Sequence, residues 1–251
     1  MKKFFTYIIC FSISFSSFFL TSCIFNKDQK EEIDIEVLED AMEELEDENY
    51  TANVSMNFTA IVKYGEDIHE MNNSINMYLE SSQKNAYTEV TLSDQNNGDE
   101  KGYSYAEIIN NKVYNYSSED GETWRKEDTI SLSDYKANQL LQVDFDVDEC
   151  FEYDVEKEAF VGDTKKLNKE LKELKSYIAN ELYGSFLNLD DLRITKYEIE
   201  VEDGQISKIK MNMSYQMSDT NSGLDYKFTF KIIMKLKNIG HTKVTVPDLY
   251  N

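Results

Sequence analysis

A single proline, Pro247, stands among 251 residues, with one tryptophan, two histidines and three cysteines. One proline excludes long proline-rich linkers, and the length suits one domain of ordinary or slightly large size. His69 and His241 sit beside expected turns, and neither is within four residues of the other or of a cysteine, so no metal-ligand spacing is present. Positive charge is also scarce: 26 Lys and Arg stand against 48 Asp and Glu, for a net charge of -22. A field of that sign repels nucleic acid and anionic headgroups, which argues against binding DNA or RNA. The chain contains no nucleophile elbow, phosphate loop or dinucleotide fingerprint. Among so many carboxylates no catalytic pair stands out, so neither an enzymatic role nor a cofactor is expected.

Aromatic residues are plentiful, with 17 Tyr and 14 Phe, and this opposes wholesale disorder. The N-terminus has the three parts of a secretory signal: basic Lys2-Lys3, an apolar run over Phe4–Leu20, and small residues before Cys23. Serines dilute the run, its length is at the bottom of the ~17–25 residues a span requires, and no basic cluster follows. Cleavage is therefore expected in place of a membrane anchor. Losing residues 1–22 removes Lys2 and Lys3 and takes the net charge from -22 to -24.

Leu20-Thr21-Ser22-Cys23 resembles the lipobox of bacterial lipoproteins. In that family the cysteine thiol receives a diacylglyceryl group, and cleavage makes it the first residue of the mature protein. The resemblance implies a signal peptide over 1–22, lipidation at Cys23 and attachment to the extracytoplasmic face of a bacterial membrane. The alternative is ordinary cleavage followed by pairing of Cys23 with Cys150, since Cys10 leaves with the signal. Under the lipobox reading Cys150 is a lone buried thiol. Residues 23–32 are a polar tether whose nine residues after Cys23 reach at most ~30 Å, which keeps the body of 33–251 close to the membrane.

The segment from Glu31 to Asn49 predicts a helix with Ile33, Val37, Ala41 or Met42, and Leu45 on one stripe and acids opposite. From Thr51 the period becomes two: Ala52, Val54, Met56, Phe58, Ala60 and Val62 alternate with polar neighbours. Further strands are predicted near 67–80, 84–93 and 102–117, with turns at Asn110-Asn111 and Asp120-Gly121. Residues 131–142 read as a short helix capped by Ser133 or Asp134. Residues 143–155 alternate as a strand, which accounts for Asp144, Asp146 and Asp148 better than a calcium loop does. An EF-hand begun at Asp144 needs Gly and Glu where Glu149 and Val155 stand. Residues 163–184 form the clearest helix, capped by Asp163 or Thr164, with Leu167, Leu171, Leu174, Ile178 and Leu182 on its stripe and Gly184 at its exit. Three regular strands follow, separated first by an Asp203-Gly204 turn, and residues 241–248 read as a short closing strand.

This order predicts an α+β fold: one strongly curved antiparallel sheet of about ten or eleven strands, capped by two or three helices. A lipobox followed by such an order, ending in a meander and "VTVPD", resembles the LolA/LppX/LprG-like lipoproteins over about residues 33–248. Their fold is a half-barrel whose concave side helices cover. A sheet of ten strands is about 48 Å across at ~4.8 Å each, and three helices of ~10 Å cover about 30 Å of it. The uncovered remainder is a groove lined by Met, Phe and Tyr, and flexible thioethers and flat rings suit an acyl chain or another apolar ligand. Met56, Phe58, Met77, Met211, Met213, Tyr215, Phe228, Phe230 and Met234 are the expected ligand-binding residues. The competing reading is a non-enzymatic surface module with a filled core, whose acidic exterior engages a basic protein partner. A transmembrane β-barrel shares the alternation but lacks a place for two amphipathic helices.

Overall fold

The computed structural model describes residues 33–94, 98–131, 146–171, 191–219 and 224–249. Eleven strands run in chain order: β1 Tyr50–Tyr64, β2 Asp67–Ser81, β3 Asn85–Asp94, β4 Gly98–Ile109, β5 Lys112–Ser118, β6 Arg125–Ser131, β7 Phe151–Asp154, β8 Ala159–Gly162, β9 Arg193–Glu202, β10 Gln205–Asp219 and β11 Leu224–Lys237. They form one large, open, curved sheet in the order β6-β5-β4-β3-β2-β1-β11-β10-β9-β8-β7, and every ladder is antiparallel. The described architecture is mostly β. Helices α1 (Ile33–Asp47) and α2 (Val147–Cys150) and a third, α3, described over 164–171, complete it.

Local chemistry explains the hairpins. Asn110 and Asn111 carry φ of 50° and 61°, the two left-handed residues a two-residue turn requires, and asparagine tolerates that region well. Asp203 and Gly204, at 53° and 80°, repeat the solution between β9 and β10. Two bulges then keep apolar residues in phase. The β9–β10 register slips between Ile206 and Lys208 and again opposite Asn212 and Met213. Ile206 and Ile209, three apart, therefore share one face, as do Ile194 and Tyr197.

One face of the sheet, the inner face, carries the core. Helix α1 lies against β10, β9, β7 and α2 and buries Leu38, Ala41 and Leu45 completely. Its stripe is turned from the expected one, for Ile35 is buried and Val37 is 40% exposed. Steps of four residues alone drift around a helix, whereas Leu38, Ala41 and Leu45 mix steps of three and four and stay on one side. Helix α3 begins as expected: the Asp163 carboxylate accepts from the Lys165 and Lys166 amides at 2.8 and 3.3 Å, and Leu167 and Leu171 are fully buried. Leu174, Ile178, Leu182 and Gly184 lie outside the described residues, as does the expected helix over 132–142.

Two expectations fail, and two strands lie outside those predicted. Residues 147–150 are a helical turn, not part of a strand: the Asp146 carboxylate accepts from the Glu149 amide at 3.0 Å and caps it. The rest of the expected strand is present as β7, and it pairs with β8, which alternation over four residues does not announce. Strand β6 has no visible alternation, because Arg125-Lys126-Glu127-Asp128 hides it. Finally, residues 241–248 join no ladder. They are held instead by point contacts, such as the Thr51–Thr242 hydroxyl pair at 2.9 Å and the Thr245 amide donating to Glu80 at 2.6 Å.

Candidate functional site

Across β2, β1, β11 and β10 the inner-face side chains fall into rows set by register. Successive rows are Met77–Val54–Met234–Ile209, Ile75–Met56–Ile232–Met211, Asn73–Phe58–Phe230–Met213, Met71–Ala60–Phe228–Tyr215 and His69–Val62–Tyr226. The character of these rows changes along the sheet. The first two are buried aliphatic and thioether side chains, with only Ile75 half-buried. From the third row onward aromatic rings replace them, and Phe58, Phe230, Phe228 and Tyr226 are half-buried. In the fourth row Met71 is 49% exposed, and in the last His69 is exposed.

The rings form a continuous strip with Phe228 at its centre. Phe228 stacks on Phe58 at 5.7 Å, on Tyr215 at 5.8 Å and on Tyr226 at 6.2 Å between centroids, and Phe58 meets Phe230 at 5.1 Å. Such offset pairs stabilise by ~0.5–1.5 kcal/mol each beyond the area they bury. They also present flat, polarisable surface at the edge of the core.

Tyr215 ends this strip with a polar group. Its side chain is buried, and its hydroxyl has no hydrogen-bond partner among the described residues. Burial, with a smaller contribution from Asp191, pushes the phenol pKa up, so the hydroxyl keeps its proton. A buried hydroxyl without a partner costs about 1–3 kcal/mol, so its retention in the sheet calls for a reason.

The nine expected ligand-binding residues are thus divided. Met56, Met77, Met211 and Met234 lie within the core beside Leu38 and Leu45 of α1. Met213 and Tyr215 stand at the boundary, and Phe58, Phe228 and Phe230 are half-buried beyond it. Tyr226 and Met71 complete the strip and were not expected there. The alternation of β11 contained Tyr226, but Met71 becomes legible only once register sets it opposite Ala60.

Other candidates separate from this strip. His69 and His241 are exposed, and no cluster of His, Cys, Asp and Glu fit to hold a metal ion exists among the described residues. Asp146 is a helix cap, and Asp144 and Cys23 lie outside the described residues. Cys150 is buried and unbridged, and burial followed by the nearby Glu170 carboxylate pushes its thiol pKa up to about 11. No described helix is long and apolar enough to cross a membrane. An open groove of about 330 Å³ lies between β1, β2 and β3, lined by Asn57, Phe58, Thr59, Asn72, Asn73, Ser74, Ser93 and Asp94. By register Asn57, Thr59, Asn72, Ser74 and Ser93 face away from the core, while Phe58, Asn73 and Asp94 belong to the inner face, so most of the groove's lining side chains are on the outer face and carry amides or hydroxyls.

No family model and no curated protein matches the chain. Among solved structures it is similar to the YwiB protein of Bacillus subtilis, at 6% identity over 72% of this chain and 91% of that one, with a TM-score of 0.21. Ail, the attachment invasion locus protein of Yersinia pestis, solved with the heparin analogue sucrose octasulfate, matches at 5% identity over 75% and 99%, with a TM-score of 0.21. A DUF1329 family protein of Desulfovibrio piger matches at 8% identity over 85% and 93%, with a TM-score of 0.25. Scores this low transfer neither a fold nor a function to the present chain.

Proposed function

We propose that this protein is an extracytoplasmic lipoprotein, anchored through a lipidated Cys23, that binds or carries a lipid or another hydrophobic ligand on the inner face of a half-barrel sheet. The observation that carries the reading is the aromatic strip Phe58–Phe228–Tyr215, where the apolar face continues past the core through half-buried Phe58 and Phe228 to the buried Tyr215. An acyl chain laid along the strip buries ring surface and gains about 25 cal/mol per Å² of apolar area removed from water. The Tyr215 hydroxyl supplies one hydrogen bond to an ester or headgroup oxygen, as apolar sites with a single oriented polar group do. No catalytic step is part of this reading.

Native mass spectrometry of the full chain, purified from its membrane in mild detergent and then denatured, tests it. A stoichiometric lipid released on denaturation is expected, and Phe228→Glu and Phe230→Glu are expected to abolish its retention while the fold persists. An empty wild-type protein, or retention unchanged in both variants, overturns it.

The second reading, a surface module with a filled core, draws support from the four buried methionines, which pack as ordinary core residues. It predicts a salt-sensitive protein partner and no co-purifying lipid.

A further inference from the structure

The outer face of the three central strands reverses the charge of the molecule. Its outward positions are Thr51, Asn53, Ser55, Asn57, Thr59, Ile61 and Lys63 on β1, alternate residues Asp225 to Lys237 on β11, and Lys208 to Gln216 on β10. These include seven lysines (63, 208, 210, 227, 231, 235 and 237) and one carboxylate, Asp225, in a chain with 26 basic and 48 acidic residues, while the outward face of β2 alongside adds Glu70 and Glu80. Lys208 and Lys210 are already engaged by the carboxylates of β9: both meet Glu200, at 3.1 and 2.6 Å, and Lys210 also meets Glu198 at 3.8 Å. Lys227, Lys231, Lys235 and Lys237 are exposed and make no ion pair among the described residues. They follow one another along a single strand, with steps of four residues spaced ~13 Å apart.

The neighbours of this row are amides and hydroxyls. Asn53 and Asn57 stand beside Lys235 and Lys231 on one side, and Asn212 and Gln216 beside Lys231 and Lys227 on the other. One strand further on, Asn57, Thr59, Asn72 and Ser74 line the outward side of the open groove. Its side chains already hold one another, with Thr59 donating to Asn72 at 2.7 Å and Asn72 to Glu70 at 2.9 Å, so its donors and acceptors are pre-set.

From this arrangement we infer that the outer face of β10, β11, β1 and β2 is a binding surface for an acidic polysaccharide. A linear row of separated cations suits an extended chain carrying an anion at intervals. The flanking amides and hydroxyls suit sugar hydroxyls, which both donate and accept. A protein partner fits less well, because protein interfaces centre on clustered aromatic or aliphatic anchors, whereas the outward apolar residues here, Ile61, Ile68, Tyr78 and Ile233, are set among polar neighbours. A bilayer fits less well too. A plane of anionic headgroups meets the field of the whole acidic body, whereas a single polymer chain feels chiefly the surface within a Debye length of ~8 Å. The proposal is independent of the inner-face ligand.

The test is a titration of the full-length protein in detergent micelles with polygalacturonate, which carries a carboxylate on each ring, and with neutral dextran as control. Binding of polygalacturonate that weakens with salt, and no binding of dextran, is expected. The triple variant Lys227→Glu/Lys231→Glu/Lys235→Glu, and its milder Gln counterpart, are expected to lower affinity by about tenfold or more. The variant Lys84→Glu/Lys101→Glu/Lys112→Glu changes net charge equally at exposed sites elsewhere, and is expected to stay within about twofold of wild type. Asn57→Ala/Asn72→Ala is expected to weaken polygalacturonate binding and to leave any binding of polyglutamate unchanged. Absence of binding, or equal losses in the two Glu triple variants, overturns the proposal. Tighter binding of polyglutamate or of phosphatidylglycerol vesicles overturns it in favour of an acidic protein or the bilayer.

Discussion

The side-chain amide of Asn168 in α3 pairs in both directions with the backbone of Ile194: it donates to the Ile194 carbonyl at 2.7 Å and accepts from the Ile194 amide at 2.8 Å. A helix side chain thus occupies the place of a neighbouring strand at the start of β9, where the bulge interrupts the β10 ladder. Removing it leaves two partly buried backbone groups without partners, each costing about 1–3 kcal/mol. Asn168→Ala is expected to lower unfolding stability by about 2–3 kcal/mol in urea titrations, and Asn168→Asp, which keeps the shape but loses the donor, by a similar amount. A change below about 0.5 kcal/mol in both means the pair contributes nothing net.

Gly162 ends β8 where no side chain fits. A Cβ built there meets Leu167 Cδ1 at 2.5 Å, with Phe151 and Tyr197 at 3.3 Å. Leu167 is fully buried, and Phe151 and Tyr197 are locked edge-to-face at 5.3 Å, so none of the three yields freely. Gly162→Ala is expected to destabilise by about 1–3 kcal/mol through overpacking, although alanine is usually the better strand residue. Stability equal to or above wild type refutes the close packing of α3 on β8.

Tyr215→Phe separates the two roles of its hydroxyl. Without ligand, losing a buried unpartnered group is expected to leave stability unchanged or raise it by about 1 kcal/mol. Retention of a lipid bearing an ester oxygen is expected to fall, while retention of a plain hydrocarbon probe stays as in wild type. A loss of stability in the empty protein instead places a donor or acceptor near this hydroxyl.

Alkaline pH acts through Cys150. Its folded pKa is about 11 against an ordinary 9.0, so between those values the unfolded thiol ionises while the folded one keeps its proton. The unfolded state then binds fewer protons, and stability falls as pH rises, by about 1.4 kcal/mol per pH unit at the steepest. Tyr78, pushed up to about 12 by its hydrogen bond to Glu80 and by burial, extends the same loss from pH 10 upward. Urea titrations from pH 8 to 11 are expected to show the decline, with the Cys150→Ala variant flatter between 9 and 11. Identical slopes in the two proteins would rule the thiol out.

The sheet was legible because most strands bury one face, and alternation reports that directly. Even residues of β1 and β11 and odd residues of the main part of β10 face the core as read. What escaped the reading was local or non-periodic. Strand β8 is four residues long, β6 hides its alternation under charge, and the turn at 147–150 breaks the strand expected over 143–155, of which β7 remains. Val37 and Leu38 are both apolar, and only packing against β10 decides that Leu38 turns inward. The candidate site was half legible. Periodicity found the apolar face, but the boundary between core methionines and the half-buried rings depends on where α1 ends its cover. Nor can composition show that the Tyr215 hydroxyl has no partner among the described residues, for that is a property of assembled neighbours.

The position of β1 between β2 and β11 has a consequence for how the chain folds. Six strands run outward from β1 as one meander, and five run inward to β11 as another, so every ladder but one joins strands adjacent in sequence. The exception is the fourteen-residue register that brings Thr51 opposite Lys237. Each meander can form early from nearby contacts, whereas the ladder between them waits for almost the whole chain to be made and must offset the entropy of closing a very long loop. The slow step is then the docking of two preformed half-sheets along a single seam. Until that seam closes, the rows of methionines and phenylalanines that meet across it remain open to water, and the protein is most exposed to misassembly at the moment its last strand emerges.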